Sequence, residues 1–138
     1  MMNNEKELKN VEKYLYEIYT VLEQYANKND YDNLINLLKY FETIVFDREL
    51  ANNLINTSFI QQFIQFLKTV DNDQVKTRCC CIIGYLVRYA TIIEVPLDNY
   101  DFCEIICDVI KKSSDNSDLI KKASATMGEY LFYVATQE

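Results

Sequence analysis

The chain has 138 residues, with 14 basic and 21 acidic side chains for a formal charge of −7, and it contains no histidine. A nucleic-acid-binding face needs a basic stripe to displace counterions from phosphate, and none is present. Two glycines and one proline offer too little turn chemistry for a sandwich or barrel, so an all-α chain is predicted.

The longest apolar runs, such as Cys79 to Val87, fall well short of the roughly 18 residues that span a bilayer. No membrane insertion is expected. The start, MMNNEKELKN, lacks the cationic-then-apolar order of a signal peptide. Five cysteines are an odd number and cannot all pair within the chain, which makes a reduced, cytoplasmic setting the default expectation.

Between Glu5 and Ala26, apolar residues recur at Leu8, Val11, Leu15, Ile18, Val21 or Leu22, and Tyr25. That is helical spacing. Asn29 or Asp30 is the expected cap of a second helix, whose apolar face carries Leu34, Leu37, Leu38, Phe41, Ile44 and Val45. A short helix over Arg48 to Ile55 follows. Ser58 and Gln61 have capping-box spacing and predict a helix from Ser58 to about Val70. Asp71-Asn72-Asp73 is the next turn and cap.

The stretch Asp73 to Ala90, DQVKTRCCCIIGYLVRYA, has almost nothing polar from Cys79 to Val87. A helix apolar on nearly every side is covered on nearly every side. It ends before Pro96, whose ring disfavours helical backbone at Val95. Asp101 to Glu104 has the spacing of another capping box, opening a helix through Ile105, Ile106, Val109 and Ile110, with Lys111 and Lys112 near its C-terminal end. Ser113 to Asp118 is turn-like, with Ser117 the expected cap, and a last helix runs from about Asp118 to Thr136.

That last helix repeats the central one. Gly84 aligns with Gly128 at an offset of 44 residues, and the same offset pairs Val75 with Leu119, Arg78 with Lys122, Tyr89 with Tyr133, and Cys79-Cys80-Cys81 with Ala123-Ser124-Ala125. Helices repeating every 40–47 residues or so mark armadillo and HEAT arrays, in which each unit buries its apolar face on the next. The prediction is an all-α, armadillo/HEAT-like α-solenoid of six or seven helices in a single domain over residues 1–138, with a degenerate unit at 1–46 and clear units at 47–93 and 97–137. Tyr130 to Val134 do not make the polar outer face of an end cap, which predicts a fragment of a longer chain and self-association through this C-terminal face.

Candidate chemistry is sparse. Cys103 and Cys107 share a helical face and two thiolates there could ligate zinc, but residues 79 to 81 point in different directions and align with Ala, Ser and Ala. Thiols packed as small apolar groups account for the pattern, and no metal or cofactor is expected. Apart from Glu129 in the last helix, the acidic residues read as caps and solvated faces, so no enzyme is expected. Tyr85, Arg88 and Tyr89, with Tyr130 and Tyr133, could line an amphipathic partner-binding groove, and Lys122 joins them as the counterpart of Arg78. The same tyrosines can tile helix seams with only the hydroxyl in water, and that reading is favoured. Arg78 and Lys122 are expected either to pair with Asp71 and Asp115 nearby or to help anchor the connecting turns.

The string Ala123 to Gln137, ASATMGEYLFYVATQ, together with Val75 to Thr91 and its Arg78, Gly84, Arg88 and Ala90-Thr91, resembles the armadillo-type repeats that follow the kinase domain in Fused-type and Unc-51-like serine/threonine kinases, most of all the branch rich in pseudokinases. The resemblance covers roughly residues 57–138. It implies a non-catalytic scaffold that brings regulators or cytoskeletal and ciliary proteins together. The chain itself has no glycine-rich loop, HRD or DFG. The competing reading is a compact helical bundle with an internal pocket for a small apolar ligand, which would set the first helix against the last.

Overall fold

The computed structural model describes residues 2–113 and 115–137, with side chains from residue 13 onward. Leu8 and Val11 of the predicted apolar stripe, and Ser114 of the predicted turn, lie outside the described residues and side chains. Among the described residues the chain is all-helical: α1 (Met2–Asn27), α2 (Tyr31–Ile44), α3 (Arg48–Ile55), α4 (Ser58–Thr69), α5 (Asp73–Tyr89), a 3-10 turn (Leu97–Tyr100), α6 (Phe102–Lys112) and α7 (Ser117–Thr136).

The helices begin where a short polar side chain precedes an apolar face. Asp30, Asp47, Thr57, Asn72 and Asn116 each accept a hydrogen bond from a first-turn amide, as when Asn72 Oδ1 takes the Val75 N–H at 3.1 Å. Each satisfies an amide that the helix leaves unpaired. Two expected caps shift by one residue. Thr57 caps α4 in place of Ser58, and Asn116 caps α7 in place of Ser117, because the cap has extended backbone while Ser58 and Ser117 are already helical. The expected box at Asp101 does not form either. Asp101 is left-handed, at φ 58°, and makes no side-chain cap bond, since the 3-10 turn runs straight into α6.

Helix α5 lies at the centre. Val75, Cys79, Cys80, Ile82, Ile83, Leu86 and Val87 are all buried, and α2, α3, α4 and α7 cover them. α6 bridges α4 and α7, and α1 packs on α2. No extensive contact joins α1 to α7 among the described residues, in contrast to the closed bundle.

Three hydrogen bonds fix how α7 lies on α5. Asn116 Nδ2 donates to Asp73 Oδ2 at 3.2 Å, Thr126 Oγ1 to the Cys80 carbonyl at 2.6 Å, and the Ile93 amide to the Tyr133 hydroxyl at 2.8 Å. Partners rise in number together, so the two helices run side by side in the same direction. The close approach depends on Gly84, where an added Cβ would stand 3.0 Å from Thr126 Oγ1. A bulkier residue would lift α7 away.

Arg78 departs from expectation. It donates to Glu42 Oε2 at 3.0 Å, tying α5 to α2, and does not reach back to Asp71. Lys122 forms no corresponding pair with Asp115 among the described residues. The offset matches sequence positions, but α5 has a neighbour on its α2 side whose acidic residue no pattern within the repeat contains.

Candidate protein-binding surface

The cysteines divide by burial. Cys79 and Cys80 are buried, Cys81 and Cys103 partly so, and Cys107 is exposed. Burial pushes the Cys80 thiol up to about 12 and the Cys79 thiol well above its ordinary 9.0. Burial, then a hydrogen bond involving Asp98, raises Cys103 to about 11. Low-dielectric surroundings penalise the thiolate, and these groups are protonated packing atoms at neutral pH. Among the described residues no three His, Cys, Asp or Glu side chains gather as a metal site would need.

Native labelling by an aromatic disulfide reagent near pH 8 is therefore expected to modify Cys107 first, with Cys79 and Cys80 reacting only on unfolding. Mass mapping of the labelled peptides checks the order. The linkage has a definite sign: from the ordinary thiol value of 9.0 up to about 12 the unfolded chain ionises Cys80 and the folded chain does not. Stability is unaffected below that window and falls as pH rises through it.

The aromatic candidates separate into seams and surface. Tyr130 is only 3% exposed and meets Phe102 edge-on at 5.3 Å between α6 and α7, so its ring faces the core. Tyr133 is half-buried, its hydroxyl committed to the Ile93 amide. Tyr85 and Tyr89 are half-buried on α5, and Phe46, in the turn after α2 and 52% exposed, stacks on them at 4.9 and 6.0 Å. The three rings form an aromatic ridge where α2 meets α5.

Arg88 is exposed at the C-terminal end of α5 and lines a groove of about 770 Å³ whose other wall, on α7, carries Ala125, Gly128, Glu129 and Phe132. Phe132 is 68% exposed. Lys122 is exposed farther along α7 beside Cys81, whose thiol is raised by burial and by Glu42, with Lys122 and Arg78 opposing that rise. Tyr85 and Tyr89 thus share a ridge with Phe46, Arg88 and Tyr133 line the groove between α5 and α7, and Lys122 and Tyr130 belong to neither.

Phe46 escapes a reading based on the repeat because it sits in a turn, whereas Phe132 belongs to the apolar run Tyr130 to Val134 that the sequence already marks as an outer face. A second feature was also hidden. Asn52 and Asn56 on α3 hold the extended segment after α5: Asn52 Oδ1 accepts from the Thr91 amide at 2.7 Å, and Asn56 bonds the Ile92 carbonyl at 2.9 Å and the Glu94 amide at 2.8 Å. Amide side chains suit this role because each donates and accepts at once. Their four-residue spacing on one face was the only sequence signal. With Tyr16, Tyr19 and Phe59 this strap borders an open groove of about 750 Å³ at the surface.

No helix among the described residues is long and apolar enough to cross a membrane. No protein-family model matches the chain, and no solved structure matches it significantly. Over 103 residues, 74% of the chain, it is 28% identical to serine/threonine-protein kinase RUNKEL of Arabidopsis thaliana. Over 104 residues, 75% of the chain, it is 24% identical to serine/threonine-protein kinase ULK4 of Mus musculus. The chain spans 7% and 8% of the lengths of those proteins, and it is distantly similar to a region of such kinases.

Proposed function

We propose that the chain is an armadillo/HEAT-like repeat segment, of the kind carried by Fused-type and Unc-51-like kinases and pseudokinases, and that it serves as a non-catalytic scaffold for protein partners. The observation that carries this reading is the parallel seating of α7 on α5, with Asn116 bonded to Asp73, Thr126 to the Cys80 carbonyl, and Gly84 as the point of close approach. Two surfaces flank this seat: Phe46, Tyr85 and Tyr89 form a ridge where α2 meets α5, and Arg88 lines the groove between α5 and α7 with Phe132 and Tyr133. Rigid aromatic and arginine side chains are the types that dominate protein–protein hot spots. Distant similarity to two kinases over three quarters of the chain supports the parentage, and a cytoplasmic, cytoskeletal or ciliary setting follows from it as part of the proposal.

The test is capture with the parent full-length protein, comparing wild type with Arg88→Glu and Tyr89→Ala by quantitative mass spectrometry. Circular dichroism first establishes that each variant is folded. Partners lost from Arg88→Glu and retained by an exposed substitution elsewhere, such as Lys68→Glu on α4, support the reading. Identical partner sets for all variants would sink it.

A further inference from the structure

The two aligned glycines have opposite surroundings, and that difference marks a face of α7 that lies open at Gly128 among the described residues. Gly84 is covered by Thr126 of α7, whereas a Cβ added at Gly128 would meet nothing within 4 Å. Around Gly128 the exposed residues of α7 are graded in size. Ser124 and Ala125 come before it in sequence, and Leu131 and Phe132 after it, the last two 54% and 68% exposed. Small residues at one end and large ones at the other make this face complementary to itself when reversed.

We propose that a second copy of this chain packs on the face, α7 against α7, antiparallel about a two-fold axis at Gly128. In that arrangement Leu131 and Phe132 of one copy lie at the level of Ser124 and Ala125 of the other, and the glycines allow the backbones to approach. A parallel pairing would set large against large. Charge favours the same direction. α7 has no basic residue in its last turn, where the helix carbonyls concentrate partial negative charge. Lys121 and Lys122 lie exposed near its start, so antiparallel pairing brings the lysines of each copy toward the C-terminal end of the other. A face that is its own complement closes at two copies. The seat shares Ala125, Gly128 and Phe132 with the groove that Arg88 lines, so a second copy here covers that groove; its test reads molar mass and is separate from partner capture.

The test is the molar mass of the purified chain by light scattering and sedimentation across a wide concentration series. The mass is expected to rise from one chain to two and stop there. Gly128→Leu fills the seat without touching the monomer's interior, and leucine favours helix over glycine. It is expected to weaken pairing about a hundredfold, because each dimer carries the change twice, with helix content and melting temperature of the monomer undiminished. Lys121→Glu with Lys122→Glu is expected to weaken it further at low salt than at high salt. A wild-type mass that stays at one chain overturns the proposal, as does a mass that climbs past two or a Gly128→Leu dimer of unchanged affinity.

Discussion

Phe41→Ala is expected to cost about 3–5 kcal/mol of folding stability, the usual range for deleting a fully buried aromatic ring. Phe41 has no exposed surface, and its ring meets Phe63 at 5.2 Å and Phe59 at 5.4 Å. Those rings belong to α4, so the cluster fastens α2 across the chain to the unit built on α5. Tyr19 of α1 adds an edge-on contact to Phe59 at 5.4 Å, and removal of Phe41 loosens that helix as well. Small domains are stable by roughly 5–15 kcal/mol, so the loss is a large share of the whole. Urea denaturation followed by circular dichroism measures it, and the melting temperature should fall by roughly 10–17 °C. A cost under about 1 kcal/mol would mean that the site collapses freely and that α2 is held by other contacts, chiefly the Arg78–Glu42 ion pair.

Gly84 and Gly128 are expected to respond to substitution with opposite signs. Leucine at Gly84 has no room against Thr126. Either α7 shifts outward or the leucine adopts a strained rotamer, at about 1–3 kcal/mol. The shift also breaks the 2.6 Å bond from Thr126 Oγ1 to the Cys80 carbonyl, leaving a buried hydroxyl without its partner at a further cost of about 1–3 kcal/mol. Together Gly84→Leu is expected to lose about 2–6 kcal/mol. Alanine at Gly128 meets open space and removes glycine's excess unfolded-state freedom, for a gain of about 1 kcal/mol. Parallel denaturation of both variants, dilute enough to keep each monomeric, reads the contrast. A shift of the same sign and size at both positions would remove the basis for treating one face as filled and its counterpart as open.

The elements were largely legible from the order of residues. Helical spacing of apolar residues and the scarcity of glycine and proline located all the α-helices, because an apolar stripe must be buried and a cap must precede it. The thiols were legible as packing groups from their alignment with Ala123, Ser124 and Ala125. Caps at Thr57 and Asn116 were misplaced by one residue. In each case two polar side chains are adjacent, and only the extended backbone of the first decides which oxygen faces the open amides.

The surface was less legible. Tyr130 and Tyr133 looked equivalent in kind to Tyr85 and Tyr89, yet they occupy seams, and what separates them is the position of α6 and of the strap at Ile93. The grip of Asn52 on Thr91 joins residues 39 apart in sequence. No local pattern encodes such a pairing, because a helix-surface asparagine facing water and one facing a strap have the same neighbours along the chain.

Residue order by itself determined the helical class and the central burial of Asp73–Tyr89, since periodicity and propensity act between near neighbours. Tertiary structure alone decided that Arg78 meets Glu42, that Phe46 crowns two tyrosines, and that one of two matched glycines is covered while the other faces solvent. Those outcomes depend on which helix lies alongside, and packing brings together side chains whose separation along the chain carries no signal of the contact.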